Sequence, residues 1–186
     1  MRITAGRIFR LTGTVETAGP FWEERLVHPI DIYPGYRARD DFEGGVQLDS
    51  TRYRLEQHFP RIETHASPHG TAGPLPDIVA LYVARRLRQL LLGQDPIASE
   101  MLWDQMHRSM VHGRQGDAML AVGAVDCALW DLKGRWLNQP VYRLLGGPTP
   151  DNVPCYASML GFNVLDMGRV RDRAAEYKSL GYPAPK

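Results

Sequence analysis

Cysteine and long apolar runs are both scarce in this sequence. Cys127 and Cys155 are the only cysteines among 186 residues, too few for a disulfide framework or for a zinc site with four thiolates. The most apolar stretch, residues 78–92, is interrupted by three arginines, whereas a bilayer span needs roughly 20 apolar residues. Arginines also break up any apolar run near the N-terminus, where a signal peptide would lie. We therefore predict no disulfide scaffold, no membrane partner and a cytoplasmic location.

The sequence also has no excess charge of one sign, and it has few lysines. The 22 basic residues nearly balance the 21 acidic ones, for a formal net charge of +1, and only Lys133, Lys178 and Lys186 are lysine. An arginine surface for nucleic acid is one interpretation, and genomic codon bias is the other. Because the acidic residues are interspersed with the arginines, no basic stripe results, and we expect no nucleic-acid partner. With 44% apolar residues, the chain is expected to be globular rather than disordered.

The first 75 residues have the pattern of a small antiparallel sheet with a long loop. Residues 2–16 and 59–66 are typical of strands, and a Pro/Gly turn at 67–70 leads to a short third strand at 71–75. Together they predict a three-stranded meander. Residues 17–50 hold prolines, glycines and aromatic residues without periodicity, and such a long loop in a compact domain is typically a lid or a binding loop. We therefore predict a lid at about 17–50.

Helical periodicity begins after residue 76. Apolar spacing and end signals predict helices over residues 77–93, 97–111, 117–137 and 140–145. Asp77 and Asp117 are the predicted N-caps. The predicted buried face of the first helix comprises Ile78, Leu81, Tyr82, Leu87, Leu90 and Leu91. The second helix has apolar residues spaced by four, and the third has a face of small residues that would let a neighbour approach closely: Leu102, Met106 and Met110, then Ala118, Ala121, Ala124, Val125 and Ala128.

The last part of the chain has a different pattern. Residues 153–160 predict a strand buried on both faces, and residues 166–180 predict an amphipathic helix. A strand followed by a helix is the repeating unit of a parallel α/β sheet or barrel. A closed barrel takes about 250 residues, so the sequence predicts an α+β domain over 1–150 followed by one βα unit over 151–186.

One segment resembles a known family. Residues 121–147, AVGAVDCALWDLKGRWLNQPVYRLLGG, combine an Ala-rich helix carrying Asp-x-Ala-Leu-Trp-Asp with Lys-Gly, Gln-Pro-Val and Leu-Leu-Gly-Gly in register. The string is similar to the enolase superfamily, in particular to its mandelate racemase and muconate lactonizing enzyme branch. The resemblance implies an N-terminal capping domain over 1–150, built from an antiparallel three-stranded meander and a helical bundle. It implies the first strand and helix of an incomplete (β/α) barrel over 151–186.

The resemblance also implies a reaction and a cofactor. The superfamily removes the proton α to a carboxylate and stabilises the product with Mg²⁺, using a lysine or histidine base. Its metal ligands lie on the third, fourth and fifth barrel strands, so in this protein they are expected beyond residue 186, and none is assigned within the chain. Gly181-Tyr182-Pro183-Ala184-Pro185-Lys186 is similar in spacing to the family's Gly-Phe-x-x-x-Lys, which would make Lys186 a catalytic lysine. An exposed terminal lysine is the alternative.

The lid is implied to bind substrate. It contains His28, Tyr36, Arg37 and Arg39, whose hydrogen-bond donors suit the hydroxyls and the carboxylate of a sugar acid. The spacing around His28 and Tyr36 looks like that of the rhamnonate dehydratase group of acid-sugar dehydratases. The alternative is a solvated loop whose arginines pair with neighbouring acidic residues.

Other polar residues lie at the hairpin turn and on the third helix. His65 and His69 flank the turn, the second place where caps of the family touch substrate, so His65 is predicted to bind substrate. Two histidines without a third ligand are only a weak zinc signal. Asp126 and Asp131 are five residues apart and do not share a helix face, so they are predicted to have structural rather than catalytic roles. On the same helix, Cys127 is predicted to be a core residue, and Trp130 and Trp136 are predicted to be packing anchors.

The sequence as a whole predicts a Mg²⁺-dependent acid-sugar dehydratase in its complete form, acting on a small-molecule sugar acid and assembling as a homo-oligomer. A base would remove the α proton, a general acid would help expel the β-hydroxyl, and the enol would tautomerise to a 2-keto-3-deoxy acid. The 186 residues alone are expected to be inactive, because the metal site is missing from them. Two alternatives stay open: a racemase, epimerase or cycloisomerase of the same superfamily, and a non-catalytic chain that is truncated or binds a partner.

Overall fold

A computed structural model describes most of the chain, in five stretches: residues 1–18, 29–36, 45–148, 152–158 and 166–183. The chain divides into two compact units. The first consists of residues 1–14, 43–46 and 54–149, and the second of residues 15–42, 47–53 and 150–186. The predicted domain boundary at residue 150 stays a prediction.

The described residues form a four-stranded sheet. Its strands are β1 (Ile3–Glu16), β2 (Gly45–Gln47), β3 (Arg52–Thr64) and β4 (Gly70–Thr71). They lie in the order β1-β3-β2, and β4 pairs with β3 in the antiparallel sense, with Arg61 opposite Thr71 and Ile62 opposite Gly70. Ile3 and Ile62 are buried and join the core beneath the helices.

The sheet agrees with the predicted strands except at their ends. β1 begins one residue later than predicted, and β3 begins at Arg52 instead of residue 59. Residues 52–58 are mostly charged or polar, so they lack the apolar alternation that marks a half-buried strand. β2 lies inside the predicted lid, which is why the described residues contain four strands where the sequence predicted three.

The strand predicted at 71–75 is shorter in the structure. β4 ends at Thr71, and the chain pairs with β3 again only at a bridge between Leu75 and His58. Gly73 has a φ of 115°, outside the strand region, and Pro74 has no N–H to donate. These two residues therefore interrupt the ladder.

Residues 77–91 are helical throughout but contain one wider turn. α1 (Asp77–Tyr82) and α2 (Arg88–Leu91) are joined by a π-helical turn at Val83–Leu87. Four buried residues are spaced by four, at Val79, Val83, Leu87 and Leu91, and Ala80 is buried beside the first of them. The predicted face is wrong in its first half, since Ile78 and Leu81 are about half exposed. A π-helical turn contains more residues than an α-helical one. A face that is extended from Leu87–Leu91 back to α1 with the ideal α-helical period therefore falls on the wrong side of α1.

The predicted N-caps are wrong by one residue. Pro76 and Gly116 occupy the N-cap positions, and neither helix has a side-chain capping hydrogen bond. Asp77 and Asp117 instead lie in the first turn, where a negative charge still interacts favourably with the helix dipole. Asp77 Oδ1 is 3.1 Å from His58 Nδ1, in a contact without hydrogen-bond geometry.

Three helices come next along the chain, and the second of them is the centre of the core. They are α3 (Ser99–Ser109), α4 (Asp117–Leu137) and α5 (Val141–Leu144). α4 has the predicted bounds, and α3 begins two residues later than predicted because Ile97 N–H binds Asp95 Oδ1 (3.0 Å) in a turn. No helix in the described parts of the chain has the length and apolar character needed to cross a bilayer.

The buried faces of α3 and α4 are confirmed. All the residues predicted for them are buried: Leu102, Met106 and Met110 on and just after α3, and Ala118, Ala121, Ala124, Val125 and Ala128 on α4. Two predictions on α4 are wrong, because Cys127 is exposed and Trp136 is 47% exposed. Cys127 lies on the side of α4 opposite the core, whereas Trp136 follows the buried Leu132 by one turn but lies at the end of the helix, where residues 135–137 are all exposed.

The second unit contains two 3-10 turns, Pro29–Ile32 and Pro34–Tyr36, and the helix α6 (Met167–Ser179). Asp166 caps α6, since its Oδ1 accepts the N–H groups of Gly168 and Arg169, each at 3.1 Å. The predicted buried strand at 153–160 is wrong for residues 153–156, which are exposed and form no strand, whereas Ala157 is buried and forms a single β-bridge. A strand buried on both faces needs neighbouring strands that satisfy its backbone groups, and no described strand pairs with residues 153–156.

Candidate functional site

The structure describes two of the six residues predicted to contact substrate or to take part in catalysis. Tyr36 and His65 are described, in different units. The other four lie outside the described residues: His28, Arg37, Arg39 and Lys186.

Tyr36 ends the second 3-10 turn. Its backbone N–H donates to Tyr33 O (3.0 Å), and proline and glycine before it favour such a tight turn. The side chain is 38% exposed. A role of Tyr36 in substrate binding stays a prediction.

His65 lies at the end of β3, beside the start of β1. Its Nδ1 accepts the backbone N–H of Arg2 (3.2 Å), and its own backbone N–H donates to Arg2 O (3.3 Å). Because Nδ1 is an acceptor, the neutral ring carries its proton on Nε2. His65 is exposed, so the ring can offer this N–H to a ligand.

His69, at the other end of the turn, is bound to an arginine of β3. Arg61 Nη2 is 2.6 Å from His69 Nε2, and the Arg61 guanidinium lies over the Phe9 ring, 5.3 Å from its centroid. Arginine can only donate, so His69 Nε2 is the acceptor of this hydrogen bond. The turn is also held from within, since Thr64 Oγ1 donates to Ala66 O (2.8 Å).

β4 and α4 touch at Gly70. A Cβ placed on Gly70 would overlap the carbonyl oxygen of Ala128 and would be 2.7 Å from Leu132 Cβ. Beside this contact Thr71 N–H donates to Asp131 Oδ2 (3.0 Å). The predicted small-residue face of α4 therefore does what the sequence indicated, because it lets the strand backbone lie directly against the helix.

Asp131 and Arg135 extend this contact to the end of α4. Arg135 Nε donates to both carboxylate oxygens of Asp131, at 3.0 and 3.1 Å. The prediction of a structural role for Asp131 is thus confirmed, because the residue joins the hairpin to the helix. A shallow cleft of about 450 Å³ lies next to this link. Its lining comprises Ser67, Pro68, His69, Arg135 and Trp136.

Replacement of Asp131 is expected to weaken the link between β4 and α4. Asp131→Ala leaves the Thr71 N–H and the Arg135 guanidinium without their acceptor, and we expect the free energy of unfolding to fall by about 1–2 kcal/mol. Urea unfolding followed by circular dichroism measures it. Asp104→Ala is the matched control, because Asp104 pairs with exposed Arg108 at i+4 (2.7 Å), a type of pair that contributes about 0.3–0.5 kcal/mol. Equal losses for the two variants would contradict the role of Asp131.

A second cleft lies between α3 and α4. It has a volume of about 240 Å³ and is lined by Ser99, Glu100, Trp103, Asp126 and Trp130. Lys133 Nζ lies 4.6 Å from the Trp130 ring centroid and donates to the buried Ser99 Oγ (3.3 Å). Burial raises the pKa of the Asp126 carboxyl above its ordinary value. Asp126 and Asp131 thus face different surroundings, as their spacing predicted.

The raised pKa of Asp126 has a consequence for stability. Ionised Asp126 is disfavoured in the folded state, so Asp126→Asn is expected to raise the free energy of unfolding at pH 7. The gain should shrink as the pH falls through the folded-state pKa and disappear below about 4, where aspartate is protonated in the unfolded chain too. Urea unfolding between pH 4 and 7 tests this, with Asp104→Asn as an exposed control. A loss of stability at pH 7 would contradict it.

The described residues do not assemble a metal site. Nowhere in the five described stretches do three His, Cys, Asp or Glu side chains come together in a way that could hold an ion. His65 Nδ1 and His69 Nε2 are both engaged with arginines. The three-ligand magnesium site of the resemblance does not fit these residues, and we assign them no metal ligand.

The site residues that the sequence did not predict are Arg61, Arg135 and Ser67. Arg61 belongs to a strand and Arg135 to a helix 74 positions later in the chain, so no local pattern relates them. The only available signal was the turn itself, which His65 and His69 flank. Chemically, the cleft offers hydrogen-bond donors and an indole surface, which suits binding of a polar ligand more than proton abstraction.

Residues 65–146 match the family model described as the mandelate racemase / muconate lactonizing enzyme N-terminal domain. The match begins at the hairpin turn and ends just after α5, so it includes the contact of β4 with α4. The segment that carries the sequence resemblance lies almost wholly within it.

Proteins similar to this chain include an L-rhamnonate dehydratase from Saccharopolyspora erythraea, 31% identical over 164 residues, with 85% of this chain and 40% of that protein covered. The crystal structure of a racemase from Streptomyces coelicolor A3(2) with bound magnesium is 34% identical, with a TM-score of 0.62, and covers 70% of this chain and 40% of its own. A member of the enolase superfamily from Polaromonas sp. JS666 matches the fold at a TM-score of 0.66 and 24% identity, with 100% of this chain and 43% of that chain covered.

The present chain thus spans about two fifths of the length of the proteins it matches. Within that length, the antiparallel strands, the helices and the Ala-rich α4 agree with the expected fold. The chain belongs to the enolase superfamily and carries the N-terminal capping domain of its mandelate racemase / muconate lactonizing enzyme branch.

Proposed function

We propose that this chain forms the capping part of a Mg²⁺-dependent acid-sugar dehydratase. The observation that carries the proposal is the similarity of 85% of the chain to an L-rhamnonate dehydratase, which extends well beyond the residues 65–146 of the family model. Donor groups at the hairpin turn support it, since hydroxyls and a carboxylate are what a sugar acid presents.

In the proposed reaction a base removes the proton α to the carboxylate of the sugar acid. A general acid helps the β-hydroxyl to leave as water, and the enol tautomerises to a 2-keto-3-deoxy acid. The proposed substrate-binding residues are His28, Tyr36, Arg37, Arg39 and His65, and Lys186 is the proposed catalytic residue.

Magnesium is the proposed cofactor of the complete enzyme. The similar racemase with bound magnesium supports this, and a divalent cation is suited to stabilise charge on a carboxylate. Because the described residues do not assemble its site, no step of the reaction is assigned to the ion. Assembly as a homo-oligomer and a cytoplasmic location stay predictions, and so does the inactivity of the 186 residues on their own.

A racemase is the second candidate, and the 34% identity to the Streptomyces coelicolor racemase favours it. Both reactions begin with removal of the α proton. They differ in the second step, because a racemase returns a proton to the same carbon and loses no water.

A chimera distinguishes the dehydratase reaction from the racemase reaction. The chain replaces the matching part of the Saccharopolyspora erythraea L-rhamnonate dehydratase, and the purified chimera is incubated with Mg²⁺ and a panel of sugar acids in D₂O. We expect a 2-keto-3-deoxy acid, detected by proton NMR. The 186-residue chain is assayed beside it, and the parent dehydratase is the positive control.

If the α carbon gains deuterium and no water is lost, the proposed function changes from dehydratase to racemase. A folded chimera that causes neither exchange nor elimination, while the parent is active, would contradict the proposed function. Turnover by the 186 residues alone would overturn the prediction that they are inactive.

A further inference from the structure

β1 is an edge strand of the sheet. β3 pairs with one side of it, and no other described strand pairs with it. Toward the other side Ile3 is covered, since its N–H donates to Gln94 O and its C=O accepts from Gly93 N–H, both at 2.9 Å. From residue 4 to residue 16, the described parts of the chain supply no backbone partner on this side. The edge of β1 therefore presents a long row of open backbone donors and acceptors.

The open part of β1 has little to protect it. Natural edge strands often carry proline or lysine, or are kept short, whereas β1 has 14 residues without either. Residues 9–14 are all exposed, and Leu11 is 59% exposed although it is apolar. There is also room around Gly13, because a Cβ there would have no neighbour within 4 Å. Such an edge is a template on which a further strand can form hydrogen bonds.

The charges of β1 restrict which strand fits this edge. Only Arg7, Arg10 and Glu16 are charged within it. In an antiparallel pair, side chains directly opposite each other are about 4.5–5.5 Å apart at Cβ, and a second copy related by a two-fold axis pairs about one central residue. With residue 10 at the centre, two arginines would be opposite each other. With residue 11 or 12 at the centre, Arg10 would be opposite a threonine.

Gly13 is the centre that gives complementary pairs. Arg10 is then opposite Glu16 of the second copy, and the symmetry forms this pair twice. Within its own chain Arg10 has an exposed contact, since its side chain is 64% exposed and its Nη1 lies 3.4 Å from Glu56 Oε1. The remaining opposed residues match in kind, apolar with apolar and hydroxyl with hydroxyl: Leu11 with Val15, and Thr12 with Thr14.

We propose that β1 pairs in the antiparallel sense with β1 of a second copy over residues 10–16, with the two-fold axis at Gly13. The two sheets then form one continuous sheet, and the open backbone groups of each edge satisfy those of the other. The same residues of both copies form the contact, as a closed two-fold dimer requires. One strand pair buries less than a standard interface, so the dimer fraction rises with concentration. This interface does not depend on the proposed dehydratase function.

Reversal of the two charges tests the pairing by sedimentation velocity of the 186-residue chain over a concentration series. Arg10→Glu and Glu16→Arg each place like charges opposite each other twice, and we expect each to raise the dimer Kd about ten-fold. The double variant Arg10→Glu/Glu16→Arg restores opposite charges with their positions exchanged, so it should regain most of the affinity. Circular dichroism checks that each variant is folded.

Arg7→Glu is the matched control for Arg10→Glu. Arg7 lies on the same strand, is 61% exposed and pairs with Glu63 at 3.0 Å, much as Arg10 pairs with Glu56 at 3.4 Å. Both variants lose one exposed pair within the chain and gain a like-charge contact there, but Arg7 lies outside the proposed overlap. We expect Arg7→Glu to dimerise like the unchanged chain. An equal rise of Kd in both variants would overturn the role of Arg10.

A cysteine at the proposed two-fold axis tests the register. In a chain with Cys127→Ser and Cys155→Ser, Gly13→Cys places the two new thiols opposite each other, and Cα separations of about 4.5–5.5 Å across a strand pair permit a disulfide. Thr12→Cys places them on a diagonal of about 7–8 Å, which is too long for a bridge. We expect oxidised glutathione to link the Gly13→Cys chains and to leave the Thr12→Cys chains unlinked.

A chain that stays monomeric at every concentration would overturn the interface. A dimer that neither single reversal weakens would show that another surface joins the copies, and would overturn it as well. Failure of the folded double variant to recover the dimer would overturn the pairing of Arg10 with Glu16. Equal cross-linking of Gly13→Cys and Thr12→Cys would overturn the register, and association that continues beyond the dimer would overturn the closed two-fold arrangement.

Discussion

Gly70→Ala is expected to separate β4 from α4 and to lower the free energy of unfolding by about 3 kcal/mol, at the upper end for overpacking. A Cβ on residue 70 would overlap the Ala128 carbonyl oxygen and would be 2.7 and 2.8 Å from Leu132 Cβ and N. Two of these three atoms are backbone atoms of a 21-residue helix, which cannot rotate away as a side chain can. Relief requires movement of the strand, which also breaks the hydrogen bond from Thr71 N–H to Asp131.

Gly123→Ala is the control for this prediction. Gly123 lies inside α4, and a Cβ there has no neighbour within 4 Å. Alanine in place of glycine inside a helix is expected to raise the free energy of unfolding by about 0.8–1 kcal/mol. Urea unfolding followed by circular dichroism gives both values. A loss of less than about 1 kcal/mol in Gly70→Ala would show that β4 can leave α4 at little cost, and would contradict the close approach.

The sequence predicted this contact from the helix side alone. Alanines repeating at helical spacing from Ala118 to Ala128 indicate a face without bulk, and that signal is local. The partner strand consists of Gly70 and Thr71, too short to have a period of its own. The bounds of α4 were predictable for the same reason, since Asp117 at its start and the residues after Leu137 mark its ends locally.

Predictions failed where the decisive interaction is distant in the chain or where a helix departs from its ideal period. The early start of β3 at Arg52 depends on its pairing with β1 and β2, not on the apolar content of its own residues. The buried side of α1 depends on the π-helical turn at Val83–Leu87, which no spacing of Ile78 and Leu81 reveals. Burial of residues 153–156 would have required neighbouring strands, and no strand pairs with them in the described part of the chain.

The candidate site shows the same difference between local features, which the sequence predicts, and long-range packing, which it does not. The place of His65 beside the turn could be predicted because a turn is a local feature, whereas its role in substrate binding stays a prediction. The sequence could not predict the hydrogen bond of Arg61 to His69 or the cleft that Arg135 forms with the turn. Both depend on how β3, β4 and α4 pack against one another. The residues of α4 therefore act twice: one face supports the sheet through small side chains, and its last turn supplies Arg135 and Trp136 to the cleft.

Leu129→Ala tests whether α4 is the centre of the core. Leu129 is fully buried, at 0% exposure, within the cluster that joins the sheet to the helices. Its removal leaves a cavity that close-packed neighbours fill only in part, and we expect the free energy of unfolding to fall by about 2–5 kcal/mol. Leu120→Ala, on the same helix but 57% exposed, is the matched control and should change it by no more than about 0.5 kcal/mol. Both substitutions raise helix propensity equally, so their difference in urea unfolding isolates burial. Similar values for the two leucines would mean that α4 is not packed on this face, and the support that the sheet and the cleft receive from α4 would have to come from elsewhere.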